Sequence, residues 1–176
     1  MKKSSTIYQL LLFIIFTSTY AFSQKSIVHW KSLEQMEVAL VKEPRKVMIE
    51  VYSKDCEWCK KFEAEVMSNP VIANYINLHY YIVKVEAFDK TAIKFKNKEL
   101  LSTNGFHPLT SEYLKGQVPL SFPTQLFFDE NLNFLNFLKG YNTAQNFEMA
   151  IAYFGEDYYK THSWSTFIKS FKGKTK

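Results

Sequence analysis

The chain has 176 residues, 47% of them hydrophobic, with sixteen Phe and eleven Tyr against five Gly and five Pro. That is enough for one domain with a real core, and it excludes a disordered, collagenous or repeat architecture. The formal charge of +5 is modest and scattered, so it carries no expectation of a nucleic-acid partner.

The first residues, MKKSSTIYQLLLFIIFTSTYAFSQK, combine a basic start at Lys2 and Lys3 with an apolar run from Leu10 to Phe16. Small residues follow at Ala21 and Ser23. This pattern predicts an export signal over 1–23, cut after about Ser23, and a mature domain over 24–172. The apolar run is shorter than the ~20 residues a membrane span needs. Cleavage removes two lysines and no acid, which lowers the formal charge from +5 to +3. The expected localisation is exported, periplasmic or secreted.

Residues 30–41 place Leu33, Met36 and Leu40 on one helical face, and Pro44 ends the helix. KVMIEVY, 46–52, reads as a buried strand. The only two cysteines, Cys56 and Cys59, follow at once, and Cys59, Phe62 and Val66 share a helical stripe behind them. Asn69 caps a new helix with Pro70 at its first position. LHYYIVKV, 78–85, is a second buried strand. Residues 91–118 read as an irregular, polar insertion, mostly surface, with a short helix near LTSEYLKG. PTQLFFD and NFLNFLKG are two further strands joined by a turn at 129–131. Asn142 with Gln145 opens a helix carrying Ala144, Phe147 and Ile151. A last helix over 157–171 puts Trp164, Phe167, Ile168 and Phe171 on one face, and the final KGKTK reads as a frayed tail. The order predicts an α/β fold with a central mixed sheet flanked by helices.

The cysteine pair carries the chemistry. A disulfide closing so small a loop removes little entropy from the unfolded chain, so a structural staple explains it poorly. Metal or redox chemistry remains. Zinc wants four ligands, and no two of His29, His79, His107 and His162 have ligand spacing, so no metal site is expected. Residue 60 is Lys, so the Cys-x-x-Cys-His haem pattern is absent, and no cofactor is expected. A thiolate at Cys56 would sit at a helix N-terminus, where unpaired N–H groups and the helix dipole stabilise it. Cys59, one turn in, would be the buried resolving thiol. Glu50 is an acid inside an apolar strand, where burial raises its pKa into a range useful for proton transfer.

VMIEVYSKDCEWCK resembles the strand–Cys-x-x-Cys–helix unit of the thioredoxin superfamily. SFPTQLFFD resembles that family's cis-proline segment, and LKGY its terminal hairpin. The likeness spans roughly 28–155, closest to small exported bacterial members, with a longer middle segment and an added C-terminal helix. The resemblance implies thiol–disulfide exchange with Cys56 as nucleophile, Cys59 as resolving cysteine, Glu50 as the buried acid and Pro123 as the cis-proline facing the disulfide. Phe122 and Thr124 flank that proline. Trp58, together with Phe106, His107 and Tyr113 of the insertion, is expected to contact clients. Where the family carries Asp, this chain has Glu50. Asp55 and Glu57 put negative charge beside Cys56, which disfavours its thiolate and points toward a reductase. The implied partners are client proteins with thiols or disulfides and, from the compartment, a membrane-embedded electron donor. Two rival readings are a non-enzymatic binding module on the same fold and a thiolate chaperone for a soft ion such as Cu(I).

Overall fold

The computed structural model describes residues 27–117 and 119–175, so the expected export signal lies outside the described residues. The elements in chain order begin with β1 (Trp30–Lys31), α1 (Leu33–Lys42), β2 (Lys46–Tyr52), α2 (Glu57–Phe62), α3 (Pro70–His79) and β3 (Tyr80–Glu86). There follow β4 (Ile93–Phe95), β5 (Lys98–Leu100), α4 (Pro108–Tyr113), β6 (Thr124–Phe128), β7 (Phe134–Lys139), α5 (Ala144–Gly155) and α6 (Trp164–Ser170). A π turn, Glu63–Met67, continues α2 directly. No helix among the described residues is long and apolar enough to cross a membrane.

Five strands form one mixed sheet in the order β1-β3-β2-β6-β7. β2 lies at its centre, parallel to β3 and antiparallel to β6. Being covered on both faces, β2 has six of its seven residues buried, which is why it reads as a nearly unbroken apolar run. Its odd positions, Val47, Ile49 and Val51, face a core shared with Met36 of α1 and with Phe95, Leu109 and Leu114 of the insertion. Met48, from the even positions, faces the other core, built with Phe62 and Val66 of the cysteine helix and with α3 and α5.

Helix starts follow local chemistry. Ser32 and Gln35 form a reciprocal capping box on α1. Asn69 caps α3 with Pro70 in its first turn. α3 holds to His79, so β3 starts at Tyr80 rather than at 78. Thr143, not Asn142, caps α5, its side chain accepting from the Asn146 N–H.

The insertion departs most from expectation. Most of it is surface, as expected, but it is not irregular. β4 and β5 form an antiparallel hairpin, and Lys96 and Asn97 at its tip both have positive φ, 53° and 58°. A two-residue turn of that kind wants Asn or Gly at both places, and the lysine hides the signal. Phe95, Leu109 and Leu114 are buried, so the segment forms a packed layer over the sheet.

The C-terminal region also differs. The 157–171 segment is not one helix but a 3-10 turn, Tyr158–Lys160, followed by α6. Phe167 alone of its expected face is fully buried, while Trp164 and Ile168 stay 40% exposed. The tail is pinned rather than frayed. The buried Glu148 carboxylate accepts the backbone N–H of Lys174 at 2.7 Å and of Thr175 at 2.8 Å, and the Thr175 hydroxyl at 2.6 Å. A Cβ at Gly173 would fall 2.6 Å from Glu148 Oε2, so a larger residue there would require the carboxylate to shift.

Candidate active site

The chain leaves β2 at Tyr52 and turns over three residues into Cys56, whose N–H donates to Ser53 O. Cys56 has extended backbone and acts as the N-cap of α2, its Sγ accepting the Cys59 N–H at 3.0 Å. The two cysteines are joined as a disulfide. Cys56 is half-buried at the helix start, whereas Cys59 is only 4% exposed. One sulfur is therefore open to attack and the other lies behind it. The N–H aimed at Cys56 Sγ is the donor that a thiolate at this atom needs.

Two exposed side chains frame the disulfide on its helix side. Trp58, 57% exposed, packs on Tyr141 with centroids 5.4 Å apart. Lys61 sits 5.2 Å from both rings, and the Tyr141 hydroxyl donates to Glu65. Trp58 thus belongs to a small platform tied to the loop after β7, not to the sheet edge. Glu57 is held by Lys60 at 2.6 Å in a solvent-exposed pair, so its charge is partly offset locally.

Glu50 lies in β2, six residues before Cys56. It shares the face of β2 that packs against the cysteine helix, and it is 0% exposed. Sheet register places Lys84 of β3 on one side of it and Gln125 of β6 on the other. Neither carboxylate oxygen has a hydrogen-bond partner among the described residues, and the same holds for both carboxamide atoms of Gln125. Lys84 Nζ lies 3.6 Å from Glu50, close enough to attract but too far to donate a good hydrogen bond. The ammonium instead binds Glu63, in the turn that continues α2, at 2.6 Å. Burial pushes the Glu50 carboxyl up to about 7; Lys84 pulls it down less than burial raises it, and the Glu63 charge adds to the rise.

On the far side of the disulfide, Thr124 pairs with Val51, so Pro123 stands level with the end of β2, where the cysteine loop departs. The Phe122–Pro123 peptide is cis. Phe122 packs on Phe88 at 5.9 Å, and Phe88 on Phe106 at 5.5 Å, giving an aromatic run along this rim. Phe88 is 48% exposed.

Three residues expected at the client surface sit elsewhere. Thr124 is buried, its hydroxyl donating to Ser121 O. His107 is 5% exposed; its Nδ1 accepts the Leu109 N–H at the start of α4, and burial lowers its pKa. Its ring is spent on capping a helix. Tyr113 packs on Phe128 and Phe134, at the end of β6 remote from Pro123. Phe106 reaches the rim through Phe88, and His107, though mostly buried, lines a hollow there with Tyr52, Lys54 and Phe88. Sequence reasoning did not find Lys84, Gln125, Glu63, Phe88 and Tyr141. A lysine inside YYIVKV and a glutamine inside PTQLFF were the visible signals, since polar residues within apolar strands mark a special position. Their meeting with Glu50 depends on register, which no single segment reveals. No three His, Cys, Asp or Glu side chains among the described residues are grouped to hold a metal.

The chain matches the family model of a thioredoxin-like domain over residues 33–155. No curated protein sequence matches it. Among solved structures it is similar to a thioredoxin-fold protein from Helicobacter pylori, at 16% identity and a TM-score of 0.54, covering 85% of this chain and 94% of that one. It is similar to a protein described as DsbH oxidoreductase, at 15% identity and a TM-score of 0.53, covering 77% and 90%. A thioredoxin from Thermus thermophilus gives 19% identity and a TM-score of 0.51, covering 69% and 82%. At these identities the structures speak for the fold, and the family match, which spans most of the chain, makes it a member of the thioredoxin-like family.

Proposed function

We propose that the protein is an exported thiol–disulfide oxidoreductase that exchanges disulfides with client proteins. The observation that carries this reading is the pairing of a half-exposed Cys56 at a helix N-cap with a buried Cys59, next to a β2 whose buried Glu50 has no hydrogen-bond partner among the described residues and only Lys84, at 3.6 Å, as a counter-charge. In the reduced protein the Cys56 thiolate attacks one sulfur of a client disulfide. That S–S bond breaks, a mixed disulfide forms, and the departing client sulfur takes a proton. Cys59 then passes its proton toward Glu50 and attacks Cys56 Sγ, releasing the second client thiolate. The net result is a reduced client and the Cys56–Cys59 disulfide. Turnover in this direction draws two electrons from a partner dithiol, for which a membrane-embedded donor fits an exported protein.

The reductive direction rests on the carboxylates of Asp55 and Glu57 around Cys56, with Lys60 offsetting the second in part. Cys59→Ser is the test. It should hold clients as mixed disulfides through Cys56, released by a small thiol, and adding Cys56→Ser should abolish the capture. A Cys59→Ser protein that traps nothing beyond the double variant would return the fold to a simple binding role.

A further inference from the structure

Gln125 is a carboxamide in the middle of β6, a strand whose five residues are all buried, and it is 0% exposed. Neither its Nε2 nor its Oε1 has a hydrogen-bond partner among the described residues. A sealed amide without partners destabilises the fold, and an apolar side chain of similar size would avoid that cost. Buried groups left unsatisfied in this way are few in folded proteins, and a role in the chemistry is one cause of them.

The cause lies across the sheet. Gln125 is paired with Glu50 of β2 in antiparallel register. Directly opposed side chains share one face of the sheet, with Cβ atoms roughly 4.5–5.5 Å apart, so rotation about side-chain bonds alone can bring the two end groups together. The other charges that bear on Glu50 are Lys84 of β3, 3.6 Å away, and Glu63 of the turn continuing α2, which holds that ammonium at 2.6 Å. Cys56 and Cys59, joined as a disulfide, add none. A protonated carboxyl carries its own donor, whereas a carboxylate only accepts and has to be supplied with donors. With Lys84 committed to Glu63, the two N–H groups of Gln125 Nε2 are the unspent donors on the strand opposite. A hydrogen bond to a charged acceptor is roughly twice as strong as one to a neutral acceptor, so ionisation of Glu50 drives the rotation.

We propose that Gln125 is a positioning residue of the exchange reaction: its carboxamide turns to donate to Glu50 when Glu50 ionises, and holds the carboxylate ready for the Cys59 proton. The inference rests on the exchange reading above and adds to it a residue two places beyond Pro123. The Nε2–H bond forms when Glu50 loses its proton and is released when Glu50 takes up the proton from Cys59.

The first arm of the test needs no exchange. In the oxidised protein, labelled with ¹⁵N and ¹³C, the Gln125 side-chain amide should shift with the same pH midpoint as the Glu50 carboxyl carbon, and should not titrate in Glu50→Gln. Gln125→Leu, close in size and apolar, should move the Glu50 midpoint up by about half a pH unit. It should also raise Tm at pH 5 by about 2–4 °C, because a sealed unpartnered amide is gone. The second arm mixes the reduced protein with 5,5′-dithiobis(2-nitrobenzoate), where release of the second thionitrobenzoate reports attack by Cys59 on the mixed disulfide. Gln125→Leu should slow that release about twofold at pH 7, as the ionised share of Glu50 falls, and the difference should vanish by pH 9. Added to Glu50→Gln it should change nothing, since a residue acting through Glu50 is silent without it. An amide that ignores the Glu50 titration, or a Glu50 midpoint that stays in place in Gln125→Leu, overturns the assignment and leaves the exchange reading standing. So does a slowing that is equal at every pH or that persists beside Glu50→Gln. A Cys59→Ser protein that traps no client overturns the exchange reading instead, and the amide titration, read in the oxidised protein, is independent of that result.

Discussion

Glu50 and Glu148 are both buried carboxylates, and the structure treats them in opposite ways. Glu50, in the strand that leads to the disulfide, has no hydrogen-bond donor among the described residues, and its pKa is pushed up to about 7. Glu148, on α5, sits much nearer the surface, and the Thr175 hydroxyl and the Lys174 and Thr175 N–H groups outweigh its burial and hold its pKa below the ordinary value. The depth of burial and the donors supplied to an acid together decide its charge. The tail gives Glu148 a donor set and gains an anchor. The sheet gives Glu50 a lysine at 3.6 Å that is already committed to Glu63, and leaves it close to neutral pH.

The largest effect should follow from removing Glu50. Its folded pKa lies above the unfolded value, so the folded state binds a proton more tightly. The resulting destabilisation is absent below about pH 4.5, grows as pH rises toward 7, and is full above that. At the value of about 7, ionising Glu50 in the folded protein costs roughly 3 kcal/mol. Glu50→Gln should match the oxidised wild type near pH 4 and exceed it at pH 9 by about that amount, or roughly 6–12 °C in Tm. Resolution of the mixed disulfide should slow by about 10²-fold at neutral pH if Glu50 receives the Cys59 proton. Parallel pH dependence of stability in the two proteins would remove the raised pKa.

Glu148 should give the opposite sign. Its lowered pKa contributes stability above the unfolded value, lost as pH falls through the folded one. Glu148→Gln should destabilise the protein by about 1–2 kcal/mol at pH 7 and by less at pH 3, because hydrogen bonds to a charged acceptor become hydrogen bonds to a neutral one. The released tail should be cut by trypsin at Lys172 and Lys174, while exchange at Cys56 stays unchanged. A tail equally resistant in both proteins would show that Glu148 does not hold it.

The two acids also mark what could be read in the sequence. Glu50 was legible because it interrupts an apolar strand just before the cysteine pair, and both patterns are local. The strands, the cysteine helix and the start of α3 were legible for the same reason: periodicity, Asn69 and Pro70 each act within a few residues. Glu148 was not legible. Its place in AQNFEMAIAYFG looks like an ordinary polar position, and its partners lie 26 and 27 residues away in a tail that composition marks as frayed. The β4–β5 hairpin and the buried residues of the insertion were missed on similar grounds. Phe95 and Leu109 are isolated apolar residues among polar ones, and they become core by packing beside α1 on the sheet's second face. His107 and Tyr113 looked available for clients, yet each is taken by a neighbour that only tertiary structure supplies.

The smallest expected effect sharpens the comparison most, because it alters the surroundings of Glu50 without touching it. Glu63 competes for Lys84 and adds its own negative charge near Glu50. Glu63→Gln removes that charge and frees Lys84 to close its 3.6 Å gap to Glu50. Both changes favour the carboxylate, so the Glu50 pKa should fall, by about half a pH unit, or roughly 0.7 kcal/mol. Glu63 is half exposed, so folding should survive. The pH midpoint for resolution of a mixed disulfide should move to lower pH, as should the midpoint of the stability loss assigned to Glu50. Gln125→Leu offers the converse. It replaces the carboxamide paired with Glu50 across β6 by an apolar side chain, and the same midpoint should move up. A structural disturbance would lower stability at every pH in both variants and leave the midpoints where they were. Opposite displacements of one midpoint would show that the donors around this carboxylate, and not its burial alone, set the pH at which Cys59 gives up its proton.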